Sequence, residues 1–263
     1  AVLIDSGGDK DAGRKVQKTL EAQGWTLSCI LNTHANADHN GGNALLQQRL
    51  HAPAYAPGID AAVTTYPILE PAFLYGGYPP KPLRNKFLLS QPSRCEPLTA
   101  ENLPQGLTQL ALPGHFFDMC GFGTADGVWF LADCLSGANI VEKYHVNFIY
   151  DVAAYLETLD RVCQLEGRLF VPAHAEAAED IRPLAELNRA KVLEIAGVIL
   201  ELCREPKMFE EILQGVFARY QLTMDFNQYV LVGSTVRSYL AYLLDRGAAA
   251  AEFDDNRLLW RAV

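Results

Sequence analysis

One short segment constrains this chain more than any other: Asn32-Thr33-His34-Ala35-Asn36-Ala37-Asp38-His39-Asn40-Gly41-Gly42. It follows an apolar run at residues 27–31 that reads as a buried strand. It precedes a helical pattern opened by Gly41-Gly42-Asn43 and carried by Leu45, Leu46 and Leu50. Residues 33–40 are then a strand-to-helix loop. In extended backbone alternate side chains share one side, so His34 and Asn36 project together, while Asp38 and His39 reach a neighbouring position past the turn. Imidazole and carboxylate suit zinc and other divalent transition metals, and Ala35 and Ala37 let the backbone between them fold tightly.

The rest of the chain alternates strand and helix. Residues 1–4 form an apolar strand ending in the turn Asp5-Ser6-Gly7-Gly8, followed by a surface helix with Val16 and Leu20 on one face. Because the chain begins inside a core-type strand, we expect earlier strands of the same sheet to precede Ala1 in the natural protein. Further strands are predicted at 107–112, 128–131 and 168–171, with a helix at 152–165 separating the last two. Residues 53–104, rich in Pro, Gly and Tyr, read as an irregular insertion of the kind that walls a pocket. After residue 171 come helices at 177–203, 207–220 and 226–245, stopped by Arg246-Gly247, then a hairpin over 249–263 around Asp254-Asp255-Asn256. Two helices and a hairpin suggest a winged-helix-like unit. Its acids Asp225, Asp245, Glu252, Asp254 and Asp255 offset the bases Arg237, Arg246, Arg257 and Arg261, so a structural or homodimer-forming role is expected over DNA binding.

Composition excludes several classes. With 263 residues and 49% hydrophobic side chains, the chain has material for one full domain and a small appendage. The 22 Lys and Arg against 31 Asp and Glu leave a net charge of −9, which disfavours nucleic acid and anionic lipid and favours a small-molecule substrate. No stretch approaches the roughly 20 apolar residues of a membrane helix. The six cysteines, Cys29, Cys95, Cys120, Cys134, Cys163 and Cys203, form no C-x-x-C pair or regular framework, which predicts reduced thiols and a cytoplasmic compartment.

With its strand-end His-x-Asn-x-Asp-His, the chain resembles the metallo-β-lactamase-fold hydrolase superfamily, whose signature is His-x-His-x-Asp-His after a strand. The resemblance continues in the family's order. Pro113-Gly114-His115 looks like the next histidine, Leu131-Ala132-Asp133-Cys134-Leu135 like the strand-end aspartate, and Pro172-Ala173-His174 like the last histidine. It implies an αββα sandwich of α+β class, with a catalytic domain over 1–204 and a helical, winged-helix-like unit over 205–263. It also implies two metal sites: His34, Asn36 and His115 at the first, Asp38, His39 and His174 at the second, with Asp133 bridging. Asn36 is the departure from the pattern. Its neutral amide oxygen is a weaker partner for zinc than imidazole, so the first site is expected to bind less tightly or to favour a harder ion such as manganese or ferrous iron. One or two divalent ions, zinc foremost, are thus expected. The glutamate that flavodiiron proteins carry at this position is not matched.

The resemblance implies hydrolysis by a metal-activated water, with Asp38 orienting the nucleophile and accepting its proton and Asp133 holding the metals. A small ester, thioester or lactone is the expected substrate. The alternatives are a phosphodiesterase or nuclease of the same fold, and a catalytically weak metal-binding protein acting through its tail. Within the insertion, Tyr75, Tyr78 and Arg84 are candidate contacts for an anionic or polar substrate, combining aromatic surface with positive charge. His51 and His145 match no motif, and Cys134 reads as a buried small hydrophobe.

Overall fold

The computed structural model describes residues 1–263 as two compact units, Ala1–Leu112 with Phe116–Ala132, and Pro113–His115 with Asp133–Val263. The first unit opens with β1 (Val2–Ile4), α1 (Lys10–Gln23), β2 (Cys29–Leu31), the one-turn α2 (Ala37–Asn40) and α3 (Asn43–Leu50). It continues through β3 (Ala54–Ala56), α4 (Asp60–Thr65), α5 (Leu69–Tyr75), a 3-10 turn at Lys81–Leu83 and β4 (Cys95–Pro97) to β5 (Leu107–Ala111) and β6 (Cys120–Thr124). β7 (Val128–Ser136) begins in this unit and ends in the second.

Strands β1 to β4 form one parallel sheet in chain order, with Val2 opposite Cys29, Ile30 opposite Ala54 and Ala54 opposite Cys95. Both of its faces are covered, which explains why Cys29-Ile30-Leu31 is apolar throughout rather than alternating. Ile30 and Ala54 face a core with Leu20, Leu27, Leu46 and Ala61, contributed by helices and their flanks. Cys29 and Leu31 point the opposite way, into a second core with Leu98, Cys120 and Phe122. β5 and β6 pair antiparallel, and Phe122 of β6 faces Phe130 of β7. Asp9 caps α1 by accepting from the amides of Asp11 and Ala12 at 3.0 and 3.1 Å, and Gly24 closes it in left-handed backbone.

The second unit contains α6 (Ala138–Tyr144), α7 (Val152–Cys163), β8 (Leu169–His174), α8 (Arg182–Leu202), α9 (Phe209–Arg219), α10 (Phe226–Asp245) and the hairpin β9 (Ala249–Asp254) with β10 (Arg257–Ala262). Asp151 and Asp225 cap α7 and α10 through the amides of Ala154 and Gln228. The predicted helices and hairpin of the tail are present. Lys207 and Trp260 exchange backbone hydrogen bonds, which ties the start of α9 to the hairpin.

Two expectations are corrected. Residues 53–104 are not an irregular insertion: they supply two strands of the parallel sheet and the helices α4 and α5. These strands have three residues each, and Pro97 ends one, so hydrophobic periodicity had nothing to register. Residues 33–40 are likewise not all loop, since α2 begins at Ala37.

Candidate metal centre

In the first unit the end of β2 turns sharply, and His34 and His39 come together with ring centroids 4.1 Å apart. The close packing that allows this is visible at Gly41, where a Cβ atom would lie 2.4 Å from the backbone carbonyl group of Gly8. His34 and His39 are buried, while the Asp38 side chain is 46% exposed, and His39 Nε2 lies 3.7 Å from Asp38 Oδ2.

The aspartate that follows β1 organises this half. Asp5, at φ +56°, accepts from the Thr33 amide on Oδ1, and from the Thr33 hydroxyl and His39 Nδ1 on Oδ2, each at 2.8 Å. A carboxylate accepts, so His39 carries its proton on Nδ1 and offers Nε2 as a lone-pair nitrogen. The Thr33 hydroxyl proton is committed to Asp5, so its oxygen accepts from His34 Nδ1, 3.0 Å away. That fixes Nε2 as the lone-pair nitrogen of His34 too.

A further carboxylate braces the loop. Asp60, fully buried at the start of α4, accepts from the amide of Ala35 at 2.8 Å and from that of Asp118 at 2.9 Å. Burial pushes its carboxyl up to about 7, against the opposing pull of those two amides. Asn36 donates from Nδ2 to Glu70 Oε1 of α5 at 2.7 Å, and burial holds the Glu70 carboxyl well above the usual carboxylate range.

In the second unit, Asp133 stands on β7 and His174 at the end of β8. Asp133 Oδ2 is 3.1 Å from His174 Nε2 and 3.7 Å from His115 Nε2. His115 Nδ1 contacts the carbonyl of Phe148 at 3.0 Å; a carbonyl only accepts, so Nε2 is again the lone-pair nitrogen. The turn before His115 is pinned at Gly114, at φ +122°, whose carbonyl accepts from the amides of Tyr150 and Asp151 at 2.9 Å. Ala132, directly before Asp133, has φ +50°, a conformation costly for a residue with a Cβ. Cys134 is fully buried, and its thiol is pushed up by that burial, in keeping with its reading as a small hydrophobe.

His34, His39 and His115 thus present Nε2 through three separate hydrogen bonds, and a carboxylate stands beside His39, His115 and His174. Neutral imidazole and carboxylate of this kind fit a divalent transition ion. Of the candidate substrate contacts, Arg84 donates to the Tyr78 hydroxyl at 3.0 Å with its guanidinium 5.3 Å from that ring's centroid, and Tyr75 ends α5 half-exposed. The sequence reading missed Asp5 as an orienting group, and Asp60 and Glu70 altogether. The signal for the last two was a lone acid inside an apolar run, Ile59-Asp60-Ala61-Ala62-Val63 and Ile68-Leu69-Glu70-Pro71.

Comparison with known proteins places the chain in a family. The chain is 28% identical over 185 residues to the lactamase-like protein adaB of Aspergillus niger, covering 68% of this chain and 48% of that protein. It is 26% identical over 149 residues to a hydroxyacylglutathione hydrolase of Thiobacillus denitrificans, covering 55% and 49% respectively. The chain thus spans about half the length of these curated relatives. A crystal structure of a metallo-beta-lactamase family protein from Thermus thermophilus superposes with a TM-score of 0.74 over 98% of this chain and 89% of that one, at 21% identity, so the expected fold is borne out. The sequence profile described as the metallo-beta-lactamase superfamily matches residues 1–174, which include every proposed metal ligand. The chain belongs to the metallo-beta-lactamase superfamily.

Proposed function

We propose that the chain is a metal-dependent hydrolase that cleaves a small ester, thioester or lactone. The observation that carries this reading is the fixing of Nε2 as the lone-pair nitrogen on His34, His39 and His115, by Thr33, Asp5 and the Phe148 carbonyl respectively. Histidines serving only the core have no need of that common choice, whereas metal ligands do. His34, Asn36 and His115 would hold one ion and Asp38, His39 and His174 a second, with Asp133 available to both and zinc the first candidate. The thioester branch is supported by the relative named hydroxyacylglutathione hydrolase.

When bound, a divalent ion supplies a water whose pKa falls from near 16 towards roughly 7 and a Lewis acid for the scissile oxygen. The chain's own groups do the rest. Asp38, with its side chain 46% exposed, orients the nucleophilic water and takes its proton. Asp133, only 10% exposed, keeps its charge away from solvent screening and so holds cations strongly. Tyr75, Tyr78 and Arg84 contact the polar or anionic end of the substrate, and residues 205–263 form a structural or dimer-forming tail.

The test is hydrolysis by zinc-loaded and manganese-loaded protein of p-nitrophenyl acetate, an S-acylglutathione and a γ-lactone. Cleavage of at least one, abolished by a chelator and by Asp38→Ala, is expected. Loaded protein that cleaves none of them, or cleaves bis(p-nitrophenyl) phosphate alone, overturns the substrate class.

A further inference from the structure

We propose that Glu70 is a positioning residue of the metal centre: it holds the Asn36 amide so that the carbonyl oxygen Oδ1 is the atom offered to a divalent ion. The inference rests on the reading of the site given above and concerns the one position where the chain departs from the family's histidine. An imidazole pinned at Nδ1 has a single lone pair to give. A primary amide presents a donor oxygen on one side and an NH2 group, useless to a cation, on the other. Asparagine can therefore act as a ligand reliably only if something decides which side faces the ion.

Three observations assign that task to Glu70. Asn36 Nδ2 donates to Glu70 Oε1 at 2.7 Å, so the NH2 end of the amide, and not its oxygen, is the end engaged by Glu70. Asn36 is also the N-cap residue of α2, in extended backbone, a position where asparagine ordinarily accepts from the helix's first amides through Oδ1. Here the side chain makes no capping bond. Its oxygen has thus been kept from the local role that its place in the chain favours. Finally, Glu70 is only 4% exposed, in the first turn of a seven-residue helix 34 positions along the chain, and a buried carboxyl is costly unless it is hydrogen-bonded. Asn36 provides that bond. The pair replaces one imidazole ligand with an amide ligand and its orienting acid, the same logic by which Asp5 orients His39.

The experiment is a titration of the chelator-stripped chain with Mn2+, followed by the electron paramagnetic resonance signal of free Mn2+, and with Zn2+ against a chromophoric chelator. Wild type, Glu70→Leu, Glu70→Gln, Asn36→Ala and the Asn36→Ala/Glu70→Leu double variant are compared. Glu70→Leu should weaken one binding step by about 10- to 100-fold, the range seen when a group behind a metal ligand is removed. Glu70→Gln, which keeps an acceptor oxygen, should retain most of the binding, and Glu70→Leu should add nothing once Asn36 is alanine. If Glu70→Leu gives no cooperative melt, Glu70→Met with its unbranched stem takes its place. The proposal is overturned by wild-type affinities in the Glu70→Leu protein, by full loss in Glu70→Gln, or by equal weakening with and without the Asn36 amide. A wild type with a single ion, indifferent to Asn36→Ala, also overturns it while leaving the hydrolase reading intact. A wild type that binds no divalent ion removes both.

Discussion

Replacing Asp5 by asparagine tests the logic of the centre with the smallest change in shape. Asparagine tolerates the left-handed backbone at this position as aspartate does, so the φ of +56° is not the cause of any effect. The carboxylate receives three donors at 2.8 Å, the Thr33 amide on one oxygen and the Thr33 hydroxyl and His39 Nδ1 on the other. An amide can serve only one of these sides. If its NH2 faces the Thr33 amide, two donors confront each other and a buried N–H is left unmade, which costs about 1–3 kcal/mol. If its NH2 faces His39, the ring accepts at Nδ1 and its proton moves to Nε2, the nitrogen a metal needs. Hydrogen bonds to a charged acceptor contribute about 1.5–3 kcal/mol each, so the metal-free variant should lose about 2–4 kcal/mol of stability in urea unfolding. Metal affinity should fall by about 10- to 100-fold in a chelator competition assay. An Asp5→Asn protein that is destabilised yet binds metal as wild type would refute the reasoning, because it would mean that the tautomer of His39 does not matter.

Gly114→Ala places a Cβ atom 2.3 Å from the Tyr155 amide nitrogen and 2.4 Å from its Cα, at φ +122°, so the turn carrying His115 must move. A loss of about 3 kcal/mol or more is expected in urea unfolding, and a near-wild-type midpoint would contradict the packing described. Asp38→Ala should abolish turnover while leaving thermal stability within about 0.5 kcal/mol, since the side chain is half in solvent; retained hydrolysis would remove Asp38 from the mechanism. Asp60, with its carboxyl pushed up to about 7 by burial, binds its proton more tightly folded than unfolded. Its contribution to stability is therefore greatest below the ordinary carboxyl range near pH 4 and is lost as pH rises towards 7, by on the order of a few kcal/mol. Urea unfolding of metal-free protein at pH 4.5 and pH 7.5 should show that loss in wild type and a smaller one in Asp60→Ala; equal slopes would contradict the assignment.

The strand-end motif, the later histidines and Asp133 were legible as candidate ligands because each stands in or beside an apolar run that is itself legible. The tail helices and the hairpin around Asp254-Asp255-Asn256 were legible for the same reason, being long or sharply punctuated. What escaped was governed by distance along the chain. β3 and β4 have three residues each and gain their strand character only by pairing with each other and with β2. Asp60 and Glu70 show in the sequence only as lone acids among apolar residues, and their partners Ala35 and Asn36 lie 25 and 34 positions away. Asn36 reads in the sequence as a departure with a weaker oxygen ligand, and in the fold it comes paired with a buried acid.

The most direct measurement is elemental analysis of the purified chain after zinc loading and desalting, with Asp133→Ala beside it. The account predicts one to two ions per chain, reduced by at least one in the variant. A wild-type chain that leaves the column without metal, or a variant that retains the full complement, would contradict it.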